Sequence, residues 1–298
     1  MPSFESRKIS KTEVTQPPES APQIMTMTFE EYAGIEHPTP YVFELEKDNK
    51  RLVYFGASHS NIPRDPLFNK LQAKFDQTQP ELVFVEGVMR FQERKKELIE
   101  SLQHADRDQV INEGGESLFT LKLAAEAGVE VDVPEPSDKS IIRNLLQQGF
   151  SPDAIFAHEV YLIIDQYYRI PERPDLEKYL SRYINEFQSV TNWSGFEYSL
   201  AHAQQIGETI WGREKANPHV AKFAGPRVDP TPSKETAKYQ TMISKIARET
   251  SYARDRFMVK KIQEALEGYN RLFVVFGASH AVMQEGALRK LFSDLRAD

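Results

Sequence analysis

Short apolar runs alternate with amphipathic stretches in the first half of the chain. Two β-rich runs in YVFELEKDNKRLVYFG (41–56) flank a polar turn and predict a hairpin. The runs LVFVEG (82–87) and VEVDV (129–133) are short and apolar, as is typical of strands buried on both faces of a sheet. Patterns with apolar residues three or four positions apart lie between the runs and predict helices over 65–77, 91–103 and 116–127. This alternation of strands and helices predicts a mainly parallel α/β sheet.

The second half of the chain has a helical pattern until its last strand. From 138 to about 269 the periodicity is that of amphipathic helices, with a helix start at Ser151 and Pro152 and a long final helix over 239–268. A loop containing proline and glycine is predicted over 217–234. RLFVVFGASH (271–280) then supplies one more buried strand, and a short helix is predicted over 287–295.

These elements predict an α/β fold with a mainly parallel or mixed central sheet flanked by helices. A large helical insertion, about 139–249, precedes the last strand. Residues 26–298 are predicted to form one domain, because a chain of 298 residues can bury a single sizeable core. Residues 1–25 are polar and rich in proline and serine, so a disordered N-terminal arm is predicted there.

Composition excludes several classes of function. Apolar residues make up 40% of the chain and charged residues 27%, as in ordinary globular proteins. The net charge of −7 leaves no excess of lysine and arginine to neutralise phosphates, so no nucleic acid is expected as a partner. The absence of cysteine excludes disulfides, thiolate catalysis and cysteine-ligated metals. No apolar stretch is long enough for a membrane span or a signal peptide, so we expect a cytoplasmic protein with no membrane partner.

One tetrapeptide, Gly-Ala-Ser-His, closes an apolar strand twice, at 56–59 and at 277–280. In open α/β sheets ligands bind at the carboxyl ends of the strands, which is where both copies lie. The two glycines are predicted to allow a sharp turn without a Cβ, so that His59 and His280 project into one crevice. Paired imidazoles in a chain with only seven histidines favour a functional site over two unrelated turn residues.

Three glutamates and one arginine are further candidates for the same crevice. Glu86 ends the strand LVFVEG, and Glu135 follows VEVDV between two prolines that hold its backbone rigid. A carboxylate at the end of a buried strand is costly unless it is exposed or paired, which favours a site role for both. Glu116 opens a helix after a Gly-Gly turn, where a ligand role and a simple helix-start role are nearly equal. Arg254 lies on the helix before the last strand, and one basic side chain of that helix is predicted to point inward.

Substrate-binding positions are predicted around the same crevice. Gln284 and Glu285 follow the second histidine and would add a polar wall, and Tyr168 belongs to the tyrosine-rich helices that would line a pocket. The chain contains no HExxH, no Gly-x-Ser-x-Gly, no phosphate-binding loop and no GxGxxG. Their absence removes the commonest metalloprotease, α/β-hydrolase, nucleotide-hydrolase and dinucleotide-binding interpretations.

Six motifs, spread over about 54–290, resemble those of the TraB/TIKI superfamily. They are GASH, VEG, GGES, EP, ARDRFM and GASHAVMQE. That group also includes the erythromycin esterase-like and ChaN-like proteins, and the resemblance implies their fold. In the TIKI branch it implies metal-dependent proteolysis, and the site residues it implies are His59, Glu86, Glu116 and His280. The chain lacks the secretory leader of animal TIKI proteases and the C-terminal hydrophobic segments of TraB-type membrane proteins. We therefore expect a small bacterial-type member.

Two neutral imidazoles with one or two carboxylates suit a divalent ion, Zn²⁺, Mn²⁺ or Co²⁺. Together with what the resemblance implies, this predicts His59, His280 and Glu116 as the metal ligands. A water on that ion would be the nucleophile at neutral pH, with Glu86 or Glu135 accepting its proton and Arg254 stabilising the oxyanion. The predicted reaction is hydrolysis of an amide or ester bond in a small molecule or peptide. Two alternatives stay open. One is a metal-independent hydrolase in which His and Glu activate water, as in erythromycin esterase-like proteins; the other is non-catalytic iron or haem binding, as in ChaN-like proteins.

Overall fold

A sheet of five strands forms the centre of the structure. The computed structural model describes residues 25–87, 91–170, 173–231 and 240–295, so the predicted arm over 1–25 lies almost entirely outside the described residues. The strands are β1 (Tyr41–Lys47), β2 (Lys50–Ala57), β3 (Leu82–Val85), β4 (Glu130–Asp132) and β5 (Arg271–Gly277).

The order of strands in the sheet is β1-β2-β5-β3-β4. The hairpin partners β1 and β2 are antiparallel, and the other neighbouring pairs are parallel. The last strand of the chain therefore lies at the centre of the sheet, between β2 and β3. Every residue of β5 after Arg271 is buried, as its continuous apolar sequence predicts. The predicted α/β class, with a mixed central sheet flanked by helices, is confirmed.

The described residues form twelve α-helices around this sheet. The helices before β4 are α1 (Phe29–Tyr32), α2 (Pro66–Thr78), α3 (Phe91–His104) and α4 (Arg107–Ala127). The helices between β4 and β5 are α5 (Asp138–Gln147), α6 (Pro152–Arg169), α7 (Leu176–Thr191), α8 (Leu200–Trp211), α9 (Arg213–Ala216), α10 (Ala224–Val228) and α11 (Met242–Gly268). The last helix is α12 (Ala278–Asp294).

Alternate strand residues face two different helical layers, because successive side chains of a strand point to opposite faces. On one face, Val53 and Phe273 pack with residues of α2, α3 and α4. On the other face, Tyr54 and Val274 pack with residues of α11 and α12. The buried central strands are thus covered on both sides, as parallel strands require.

The described residues between β4 and β5 are helical and contain no strand. Ser151 caps α6 as predicted, since its Oγ accepts a hydrogen bond from the Ala154 N–H at 3.2 Å and Pro152 occupies the first turn. α6, α7 and α8 pack around a third cluster that includes Phe156, Tyr161 and Leu180. None of the described helices is both long enough and apolar enough to cross a membrane.

Two predictions about this half of the chain are wrong. The predicted loop over 217–234 contains a 3₁₀ turn (Ala221–Phe223) and α10, and Arg227 within it is fully buried with its guanidinium bonded to backbone carbonyls. The last helix begins at Ala278 and not at residue 287, because β5 passes directly into it at Gly277. The predicted long helix over 239–268 is found from Met242, and residues 232–239 lie outside the described ranges.

Candidate functional site

The sheet register brings the two Gly-Ala-Ser-His corners together. β2 and β5 are parallel neighbours, and Ala57 is paired with Gly277 at their carboxyl ends. β3 is the other neighbour of β5, with Val85 paired with Val275, so Glu86 follows at the same edge of the sheet. The expected meeting of the two corners is therefore present in the structure.

The reason for glycine at the two corners differs from the prediction. Gly277 has φ −57° and ψ 145°, which any residue can adopt, and neither corner glycine is among the described glycines with positive φ. Instead, neighbouring atoms leave little room for a Cβ at either position. A Cβ on Gly56 would lie 2.7 Å from both the Ala281 Cβ and the Tyr41 carbonyl oxygen. A Cβ on Gly277 would lie 3.3 Å from His59 Nε2.

The two histidines have different surroundings. His59 lies in the loop after β2, with 62% of its side chain exposed. His280 lies in the first turn of α12, where its side chain is only 12% exposed. The position of a Cβ on Gly277 is 3.5 Å from Glu86 Oε2 and 3.7 Å from the His280 ring, besides 3.3 Å from His59. Both imidazoles and Glu86 therefore converge in front of Gly277.

Glu116 fixes the orientation of the His59 imidazole. The Nδ1 atom of His59 lies 2.6 Å from Glu116 Oε1, and the Ser60 N–H donates to Oε2 at 3.3 Å. Because the ionised carboxylate only accepts hydrogen bonds, Nδ1 carries the proton and Nε2 faces the site. The hydrogen bond and the charge of Glu116 raise the pKa of His59 despite its partial burial.

A break in α4 creates this contact. Gly114 and Gly115 have non-helical backbone angles, so the helix restarts at Glu116. Gly115 has φ 55°, which favours glycine, and a Cβ there would lie 2.6 Å from the Ser60 carbonyl oxygen. The Gly-Gly turn thus lets the loop that carries His59 lie against the start of the second half of the helix.

Asp255 fixes the orientation of the His280 imidazole in the same way. His280 Nδ1 lies 2.6 Å from Asp255 Oδ1, and the Gln284 side chain donates to the same oxygen at 2.7 Å. Tyr54 donates to Gln284 Oε1 at 3.1 Å, so the chain of bonds ends inside the core. Burial disfavours the charged form of His280, but the charges of Asp255 and Glu86 outweigh burial and raise its pKa.

Glu86 is occupied at both oxygens. Its Oε2 accepts the Gly277 N–H at 2.7 Å, and its Oε1 accepts from Arg254 Nη2 at 2.9 Å and lies 3.6 Å from His280 Nε2. Burial alone would raise the pKa of Glu86, but the positive charges of His280 and Arg254 lower it to about 2. Glu86 is therefore a firmly ionised carboxylate.

Arg254 joins Glu86 to Glu135. One nitrogen, Nη2, donates to both carboxylates, and the side chain is 27% exposed. Burial opposes the charge of Arg254, but the two glutamates raise its pKa further above its usual range. The prediction that one basic side chain of this helix points inward is confirmed, and the six site residues predicted as catalytic or metal-binding are brought together.

The three predicted substrate-binding residues have other contacts. Gln284 is fully buried and supports Asp255, so it lies behind His280. Glu285 accepts a hydrogen bond from the Tyr41 hydroxyl and pairs with Arg289 at 2.5 Å. Tyr168 donates to the Pro218 carbonyl oxygen at 2.9 Å within the helical half of the chain. Neither Glu285 nor Tyr168 shares a hydrogen bond with the residues in front of Gly277.

Asp255 is a residue of this arrangement that the sequence analysis does not predict. It is fully buried, and its Oδ2 has no hydrogen-bond partner among the described residues. Helical periodicity contains the missing signal, because Asp255 is spaced three, four and seven residues before the buried Met258, Val259 and Ile262. An acid on the apolar face of a helix needs a buried partner, which here is His280.

The residues in front of Gly277 do not form a ready set of metal ligands. Both oxygens of Glu116 are bound to His59 and Ser60, and Glu86 is bound to Arg254 and Gly277. Within the described ranges, no three His, Asp or Glu side chains are grouped so as to hold a metal ion. An ion bound here would be coordinated by the two imidazole Nε2 atoms and by one carboxylate.

The arrangement consists of two imidazole–carboxylate pairs beside Glu86, which begins a Glu86–Arg254–Glu135 ion-pair chain. Such pairs fix the tautomer and orientation of a base or of a metal ligand. The exposed imidazole can accept a proton, while the guanidinium supplies positive charge. Comparison of the chain with protein-family models, with curated proteins and with solved structures gives no match.

Proposed function

We propose that the protein hydrolyses an ester or amide bond, with His59 as the general base that activates water. The observation that supports this role is the geometry of His59. Its Nδ1 is fixed by a buried carboxylate, its Nε2 faces the space in front of Gly277, and its side chain is open to solvent. An imidazole oriented in this way accepts a proton from water near neutral pH.

We assign Glu86 a supporting role in place of proton acceptor. A carboxylate with a pKa of about 2 is a weak base, and both of its oxygens already accept hydrogen bonds. Its charge instead keeps Arg254 in place and raises the pKa values of Arg254 and His280. Glu135 accepts from the same nitrogen of Arg254 and also helps to keep this side chain in place.

Arg254 and His280 are the groups we assign to the developing oxyanion. Arg254 is positively charged and partly exposed, and the carboxylates of Asp255 and Glu86 raise the pKa of His280. Fixed charges in a partly buried site stabilise charge that develops in the transition state. The proposal thus corresponds to the erythromycin esterase-like branch of the TraB/TIKI resemblance, and the membership itself is part of the proposal.

A metal-dependent hydrolase is a second candidate, supported by the charges of the site. Glu86, Glu116, Glu135 and Asp255 supply four carboxylates against one guanidinium. A divalent ion would be held by His59 Nε2, His280 Nε2 and Glu86, after Glu86 leaves Arg254. Because the present side chains do not form that set, we derive no step through a metal.

Haem binding finds less support in the helical half of the chain. The hydroxyl groups of Tyr161, Tyr167 and Tyr168 donate to backbone carbonyls, at 2.8, 2.8 and 2.9 Å. Their rings pack in one buried cluster with other apolar residues of the helices. An axial tyrosine would have to break one of these hydrogen bonds.

The test is a hydrolysis assay with p-nitrophenyl esters and amino-acid anilides. His59→Gln should lower kcat/KM by about 10²–10⁴-fold, because that is the usual contribution of a general base. His219→Gln is the matched control, since His219 is exposed outside the site and its imidazole makes no bond to the site residues. Equal activity of His59→Gln and wild type would refute the proposal.

The same assay separates the two candidates. Dialysis against EDTA should leave the activity unchanged if His59 alone activates water. Loss of activity on dialysis and its return with Zn²⁺ or Mn²⁺ would favour the metal-dependent candidate. In that case His280→Gln should abolish the return as well.

A further inference from the structure

A groove lies on the outer side of α11, away from the sheet. The buried residues Asp255, Met258 and Ile262 face the sheet. Arg256 and Phe257 lie three and four residues after Ala253, and Lys260 lies four and three residues after them, so the four share the opposite side of the helix. This side and α5 line an open groove of about 650 Å³, a volume within the range of ligand-binding clefts.

The charged residues of the groove are all basic. Arg143 of α5 lies across from Arg256 and Lys260 of α11, and none of the described residues that line the groove is acidic. This is unexpected in a chain with 44 acidic and 37 basic residues. Neither Arg143 nor Arg256 has a hydrogen bond or an ion pair within the described part of the chain. Two guanidinium groups are thus available to a ligand.

The uncharged lining adds hydrogen-bonding groups and an apolar wall. Ser140 and Asn144 lie on the α5 side and offer a hydroxyl and an amide, and Phe257 and Ile141 are the apolar residues. A guanidinium donates two parallel hydrogen bonds to a planar or tetrahedral oxyanion. Three cations exceed what one carboxylate neutralises, whereas a phosphate monoester carries a charge of about −1.5 to −2 and three acceptor oxygens.

We propose that this groove binds a phosphate monoester whose organic part packs against Phe257. The site is separate from the residues in front of Gly277, and the inference does not depend on the proposed hydrolase. Arg143 and Arg256 are assigned to the phosphate oxygens, with Lys260 adding charge. A neutral ligand of the same organic shape lacks the group that these residues recognise.

Calorimetric titration with phenyl phosphate at low ionic strength tests the proposal. Wild type should bind phenyl phosphate, and should not bind phenol measurably at the same concentrations. Arg143→Gln and Arg256→Gln should each weaken binding by about tenfold or more, because a hydrogen-bonded charge pair contributes at least about that factor. Arg213→Gln is the matched control, since Arg213 is exposed outside the groove.

Circular dichroism of each variant verifies that the fold is retained, which is expected because Arg143 is exposed and Arg256 is not fully buried. Three results would overturn the proposal: no binding of phenyl phosphate to wild type, unchanged binding to both groove variants, or an equal loss in Arg213→Gln. The last of these would show attraction by general surface charge.

Discussion

Gly277→Ala should inactivate the protein without unfolding it. The added Cβ would lie 3.3 Å from His59 Nε2 and 3.5 Å from Glu86 Oε2, in the space that the proposed mechanism assigns to the reacting water. Exclusion of that water removes general base catalysis, so kcat/KM should fall by about 10²–10⁴-fold. The backbone angles, φ −57° and ψ 145°, suit alanine, so no backbone strain follows.

The stability of this variant is expected to change by no more than about 1 kcal/mol. Replacement of glycine by alanine at a compatible position stabilises by about 0.4–1 kcal/mol through the unfolded chain. The 3.3 Å approach to the imidazole requires a shift of a few tenths of an ångström, which offsets part of that gain. Urea unfolding and ester hydrolysis on the same preparation measure both effects.

Two other glycines are the controls. Gly56→Ala would place its Cβ 2.7 Å from the Ala281 Cβ, and it should destabilise by about 1–3 kcal/mol through overpacking. Gly286→Ala meets nothing within 4 Å inside α12, and it should stabilise by about 0.5–1 kcal/mol with unchanged activity. Near-normal hydrolysis by folded Gly277→Ala would refute the placement of the reacting water.

Two further predictions concern stability. The pKa of Glu86 falls from 4.5 to about 2 on folding, so its ionised form stabilises the protein by about 3 kcal/mol above pH 4.5, and this stabilisation is lost as the pH falls through about 2. Glu86→Gln should therefore lower the free energy of unfolding by about 3 kcal/mol at pH 7, with a smaller deficit in acid, and a constant deficit at all pH values would contradict the assigned charges. Ser151→Ala removes the cap of α6 and should cost about 1 kcal/mol in urea unfolding without a change in activity, whereas Ser181→Ala, inside α7, should cost less.

Most of the sheet is predictable from the sequence because its strands are buried on both faces. The apolar runs ending at Gly56 and Gly277 identify β2 and β5, and Gly128 ends α4 with φ 65°, as a helix-stopping glycine should. The loop over 217–234 was mispredicted because Pro and Gly residues there suggest a turn. Tertiary contacts of the buried Arg227 stabilise a helical segment instead.

The members of the site were easier to predict than their roles. The sequence shows that His59, His280 and Glu86 stand at strand ends, but the partner of each side chain depends on how loops and helices pack. Glu116 was expected to bind a metal, and it binds His59 because a kink in α4 places it beside that loop. Asp255 was missed because its neighbours Arg254 and Arg256 make the segment look like a solvated face.

The most direct test of the His59 assignment is the pH dependence of kcat/KM for wild type and Glu116→Gln. A general base works only when it has lost its proton, so activity should rise as the pH passes the pKa of His59. Glu116 raises that pKa above 6.5, so the acid limb of wild type should lie above pH 6.5, and the limb of Glu116→Gln should move to lower pH. Identical limbs in the two proteins, or a limb that moves to higher pH in Glu116→Gln, would contradict the account.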